Sequence, residues 1–197
     1  MAFAHAIERA EHPALQAIVI PRTPSIGIDQ AHRTLCNAAA FLGAGPPSTD
    51  IDPPGVRYPA KVLGNGLREL DRFLSVLLDE IATEAGWNAE DLAPLARLRN
   101  TANKLEAVCL RMRMEPRYAA RLRALGRCRD MLFHCGGVVR RGDDRHAVTL
   151  TLGWPDDRAE GLARVLPIGE RLAVSPADLA WVCAFYVRIG DGLLQSA

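Results

Sequence analysis

The chain has 197 residues, 49% hydrophobic and 24% charged, with a net charge of +1. That length supports one sizeable core, and the composition is that of a globular protein, which excludes a disordered or fibrous chain. No apolar run reaches the roughly 20 residues of a membrane span, and Met1 to Glu11 carries Glu8 and Glu11 where a signal peptide needs a basic start and an apolar centre, so a cytoplasmic protein without a membrane partner is expected.

Residues 1–24 read as an N-terminal arm, a short helix broken at Pro13 followed by the apolar run Ala17 to Ile20. His5, Glu8 and His12 could share a helix face as metal ligands, but a fourth ligand and a packed scaffold are missing, so neither a metal nor a cofactor is expected. Residues 25–197 read as one helical domain. Its first helix starts at Asp29, a good N-cap, and runs through Leu35, Ala38, Ala39 and Leu42 to Gly43. Pro46, Pro47, Pro53, Pro54 and Pro59 then enforce a long loop. Gly43-x-Gly45 and Gly64-x-Gly66 lack the spacing of a phosphate loop.

Ala60 to Ala85 carries the strongest helical signal, with Leu63, Leu67, Leu70, Leu74, Leu77 and Ile81 recurring every three or four residues. Phe73 and Leu78 widen that stripe beyond a two-stranded coil, and Gly86 ends it. Asn88 to Met114 reads as one helix bent near Pro94. After a break at Pro116, a helix presents Tyr118, Leu122, Leu125, Cys128, Leu132 and Cys135 on its apolar side, and Gly136-Gly137 stops it.

The period then changes. Val138 to Leu152 predicts a β-hairpin turning at Gly142-Asp143-Asp144. Gly153 to Val174 reads as a loop with a helical turn over 158–165 and a short extended piece over 171–174. Ser175-Pro176-x-Asp178 starts a last helix bearing Leu179, Val182, Cys183, Tyr186, Ile189 and Leu193. The expected fold is mostly α: four to five helices, four of them in an up-and-down bundle, with the hairpin, approximately 138–152, before the last helix.

Five cysteines, Cys36, Cys109, Cys128, Cys135 and Cys183, form no Cys-x-x-Cys pair and read as reduced helix-face fillers. Between Arg97 and Arg129 ten basic residues, Lys104 among them, face only Glu106 and Glu115, a local charge of +8. A stripe of this kind suits an RNA backbone, and it is equally a solvated face. Arg121, Arg123 and Arg127 from this stripe, with Arg140 and Arg141 at the hairpin turn, are the candidate RNA-binding residues; Arg145 and His146 share that turn, where such charges also keep a sheet edge soluble.

Polar chemistry concentrates in Arg129-Asp130-Met131-Leu132-Phe133-His134 at the end of the helical pattern that follows Pro116. Asp130 and His134 are four apart and share a helix face, so the carboxylate can hold one imidazole nitrogen and leave the other free. Such an imidazole carries protons near neutral pH, and the guanidinium of Arg129 suits a phosphate oxygen. The same residues also fit a solvated helix-end pair beside a helix-end histidine.

Arg, then Asp or Asn, three residues and His, at the end of a helix in a small helical domain, resembles the signature of the HEPN domains, many of which are metal-independent ribonucleases. The likeness extends as an order of helices over roughly Asp29 to Leu194, and its sequence-specific part is the six residues Arg129 to His134. The resemblance implies that His134 moves the proton of a ribose 2′-hydroxyl, that Arg129 steadies the phosphate with Asp130 orienting the imidazole, and that two protomers join their motifs in a homodimer. The alternative is a non-catalytic dimeric module that binds a protein partner, as half of a toxin-antitoxin or defence pair. A third reading, a small-molecule sensor, needs a pocket lined by residues such as Phe41, Trp87 or Tyr186.

Overall fold

The computed structural model describes residues 26–44, 59–156 and 159–196, the side chains of 156 and 159–162 excepted. The N-terminal arm, its His5, Glu8 and His12, and most of the proline-rich loop lie outside the described residues. The order of elements is α1 (Ile26–Ala44), α2 (Ala60–Glu84), α3 (Ala89–Arg97), α4 (Thr101–Arg111), α5 (Ala119–Cys135), β1 (Thr149–Asp156), β2 (Ala159–Pro167) and α6 (Pro176–Leu194). The fold is mostly helical with one small antiparallel hairpin before the last helix.

The leucine stripe of α2 makes it the centre of the molecule. Leu63, Leu67, Leu70, Leu74, Leu77 and Ile81 are all buried, and α2 packs against α1, α3, α4, α5 and α6. Each side chain buried this way contributes about 1.5–3 kcal/mol. Lys104 reaches from α4 into this interface, where its ammonium donates to Ser75 (2.8 Å) and to both oxygens of Asp79 (2.8 and 2.7 Å). It is a buried clamp between two helices, and so does not belong to the basic face on which the sequence placed it.

Four boundaries differ from the sequence reading. The single helix expected over 88–114 is two, because Asn100 accepts hydrogen bonds from the backbone N–H groups of Ala102 (2.9 Å) and Asn103 (3.2 Å) and caps a new helix. Pro94 lies inside α3, and Leu98, with φ −73° and ψ 102°, leaves the helical region. The first helix begins at Ile26, with Asp29 in its first turn, and the fifth begins at Ala119, with Tyr118 as its cap.

The fourth difference is the hairpin. Its strands are 149–156 and 159–167, so the helical turn expected over 158–165 is strand from Ala159 on, and the segment 138–148 is not the first strand. Val138 bridges Arg171, and Val139 donates to Glu170 O (2.9 Å) and accepts from Gly169 N (2.8 Å). The residues after α5 therefore pair with the segment that follows the hairpin. Leu150, Leu152 and Trp154 alternate onto one face of β1 and are all buried, where the strand packs towards α5 and α6, and the pairing with β2 is irregular between Thr151 and Pro155.

Candidate functional site

The motif lies at the C-terminal end of α5. Gly136 caps the helix in the left-handed region (φ 60°), and Gly137 N–H donates back to Met131 O (3.0 Å), so the chain turns away immediately beyond His134 and Cys135. On the α2 side, Gly64 lies opposite Phe133. A Cβ there would stand 2.7 Å from the Phe133 nitrogen, so only glycine lets the two helices approach this closely.

Arg129 points into a network at the heart of the fold. Its guanidinium donates to Asp71 Oδ2 on α2 and, through Nε (3.0 Å) and Nη2 (2.8 Å), to Asp130 Oδ1. The Tyr186 hydroxyl on α6 donates to Asp71 Oδ1 (2.6 Å). Three helices are thus joined through one buried carboxylate. Burial pushes the Asp71 carboxyl above its ordinary value against the pull of Tyr186 and Arg129, and burial together with Asp71 lifts the Tyr186 hydroxyl well above its own. For Arg129, burial opposes the charge, yet the Asp71 and Asp130 carboxylates together outweigh it and keep the guanidinium protonated.

The bond expected between Asp130 and His134 is not made, since the Asp130 carboxylate turns to Arg129. His134 is exposed, and its described partner is the Phe133 ring, edge-on at 4.8 Å. Arg129 and His134 therefore face different environments, one the helical interior and the other the surface.

That surface is a cleft of about 950 Å³ between the end of α5 and the loop that follows it, lined by Arg127, Asp130, His134, Arg140, Arg141 and Arg145 among others. The loop is held by Asp143, which accepts from the Thr151 N–H (2.9 Å) and hydroxyl and from Arg127 Nη2 (2.9 Å). Burial works against the Asp143 charge, but the Thr151 bonds and Arg127 outweigh it and hold the carboxyl below its ordinary value. Asp144 turns the chain by accepting from the His146 (2.8 Å) and Ala147 (2.9 Å) N–H groups. The side chains of Arg140, Arg141 and Arg145 have no partner among the described residues. The cleft thus pairs an exposed imidazole with three guanidiniums that are unpaired among the described residues.

The other candidate arginines are engaged. Arg121 stacks on Trp181 (5.1 Å), Arg123 binds Asn103 and Glu106, and Arg127 holds Asp143. Cys109, Cys128 and Cys183 are buried, and burial pushes the Cys128 thiol up to about 12 and that of Cys183 to about 11, so neither is a thiolate at neutral pH. Cys36 lies 3.5 Å from His32 Nε2, which also meets Asp191 at 2.8 Å; one nitrogen serves both, and burial again raises the thiol, so no nucleophile–base–orienter relay forms. Among the described residues no three His, Cys, Asp or Glu side chains are grouped to hold a metal ion. Phe41 is exposed, Trp87 lies under Arg111 (5.0 Å) and Tyr186 is bound to Asp71, so none of the three lines the cleft.

Sequence reasoning missed Asp71 and Asp143. Asp71 was legible: it stands four residues after Leu67 and three before Leu74, a charge inside the apolar stripe, which demands a buried partner. Asp143 gave no such signal, since a Gly-Asp-Asp turn looks the same whether or not its carboxylate is used. In comparison with known proteins, no family model matches the chain, and no curated protein or solved structure is significantly similar to it.

Proposed function

We propose that the chain is a HEPN-like RNA-binding module that, as a homodimer, acts as a metal-independent endoribonuclease, with the cleft beside His134 as the place where RNA lies. The observation that carries this reading is the pairing, in one cleft, of an exposed imidazole with Arg140, Arg141 and Arg145, whose side chains have no partner among the described residues. Arginine forks match phosphate oxygens, and partnerless ones lose no internal bond on engaging them. In the cleavage step the neutral His134 imidazole takes the proton of a ribose 2′-hydroxyl. The freed oxygen attacks phosphorus, the bond to the 5′-oxygen breaks, and a proton returns to that leaving oxygen, giving a 2′,3′-cyclic phosphate and a 5′-hydroxyl. The charge that builds on the non-bridging oxygens falls to Arg140 and Arg141, while Arg129 and Asp130 brace the helix that carries His134.

The test is incubation of purified protein with end-labelled RNA in a chelator, scoring the cyclic product. Cleavage by wild type and a loss of about 10²-fold or more in His134→Ala supports the assignment; cleavage unchanged in that variant refutes it. The engagement of Arg129 by Asp71 and Asp130 favours a second reading, a non-catalytic dimeric module whose cleft is covered by an antitoxin-like protein of acidic surface. Protein that binds RNA or such a partner but never yields the cyclic end would establish that reading.

A further inference from the structure

Beside His134, but outside the lining of the cleft, a second group is assembled from two helices. The Phe133 ring, half-buried on α5, meets His134 edge-on at 4.8 Å and 84°. From α2, Lys61 Nζ lies 5.8 Å and Arg68 Cζ 5.7 Å from the ring centroid. Both cations are exposed, and neither has a carboxylate partner among the described residues. The Phe133 backbone is held by its close approach to Gly64, which keeps the root of the side chain against α2.

We infer that Phe133, with Lys61 and Arg68 beside it, is a stacking subsite for one unpaired nucleotide flanking the phosphate held at His134. This rests on the reading of the cleft as an RNA site and extends it to single-stranded RNA. An aromatic face accepts any base, and the two cations, displaced from the ring, find the phosphates on either side of that base. Double-stranded RNA would not use the site, because its bases are stacked on one another.

The experiment uses a 2′-O-methyl 12-mer, which binds without being cleaved, carrying 2-aminopurine at one position, and an abasic ribose-phosphate chain of equal length. Wild type is expected to bind the 12-mer and quench the 2-aminopurine. Phe133→Leu should bind it about 5- to 150-fold more weakly, the value of one stacked base, and bind the abasic chain as wild type does. Lys61→Ala/Arg68→Ala, on an exposed surface, should flatten the dependence of log affinity on log salt by about 1.4. If wild type binds the 12-mer through Arg140 and Arg141 without quenching it, and the Lys61/Arg68 variant binds as wild type does, the stacking subsite is refuted and the cleft reading stands. If wild type binds no RNA at all, both fall. Should Phe133→Leu fail to fold, the quenching and the Lys61/Arg68 variant decide.

Discussion

Replacing Arg129 with Met removes the cation that faces the Asp71 carboxylate and leaves the Tyr186 hydroxyl as its remaining side-chain donor among the described residues. Breaking a buried pair costs about 3–5 kcal/mol. The side chains of Asp71 and Arg129 are 10% and 27% exposed, so some solvent reaches the pair and the low end, about 3 kcal/mol, is expected. For a chain of this size that loss lowers the melting temperature by about 6–12 °C. The cost depends on pH in a defined direction. Asp71 already sits above its ordinary carboxyl value, so its contribution is present below that value and is lost as pH rises through its folded value; without Arg129 the folded value rises further. The variant is therefore less impaired at pH 5 than at pH 7. Urea denaturation of wild type, Arg129→Met, Asp71→Asn and the double variant gives the coupling energy directly. If Arg129→Met keeps wild-type stability at pH 7 while losing RNA affinity as Arg141→Ala does, Arg129 is a phosphate ligand and the bracing role is wrong.

Tyr186→Phe deletes a buried hydrogen bond to a charged acceptor and is expected to cost about 1.5–3 kcal/mol in the same assay; an unchanged stability would contradict the network. Asp143→Asn should flatten the acid limb of the stability curve. The Asp143 carboxyl lies below its ordinary value, so its contribution is present above about pH 4 and lost as pH falls through the folded value; melting temperatures between pH 3 and 6 with the same slope in both proteins would refute this. Gly64→Ala sets a Cβ against the Phe133 backbone and is expected to cost about 1–2 kcal/mol net of the gain in helix propensity. A variant as stable as wild type would show that α2 and α5 are not held so close.

The α2 stripe, the Ser175 cap and the Gly136-Gly137 stop were legible because each rests on local chemistry that tertiary structure did not override. The capping box at Ser175 forms as its spacing predicts, with Asp178 N–H donating to Ser175 Oγ (3.0 Å) and Ser175 N–H to Asp178 Oδ2 (2.8 Å). The hairpin was misplaced because alternation at Val148, Leu150 and Leu152 fits two registers, and the Pro155-Asp156-Asp157 sequence is as turn-prone as Gly142-Asp143-Asp144. Local pattern cannot say that Val139 pairs with residues 169 and 170 across thirty positions of chain. The candidate site divided in the same way. Helical spacing put Asp130 and His134 on one face, but whether Asp130 turned to His134 or Arg129 depended on where Asp71 lay, 58 residues before Arg129. Arg140 and Arg141 stand out in the sequence for their charge; that they are unpaired among the described residues while Arg123 and Arg127 are engaged is a tertiary fact.

The most direct measurement is the salt dependence of binding to a single-stranded, non-cleavable RNA by wild type and by Arg140→Ala/Arg141→Ala/Arg145→Ala. Each phosphate contact in a single strand contributes about 0.7 to the slope of log affinity against log salt, so losing three guanidiniums should make that slope shallower by about 2 while the fold stays as stable as wild type. A slope unchanged in the triple variant would contradict the assignment of this cleft to the RNA backbone.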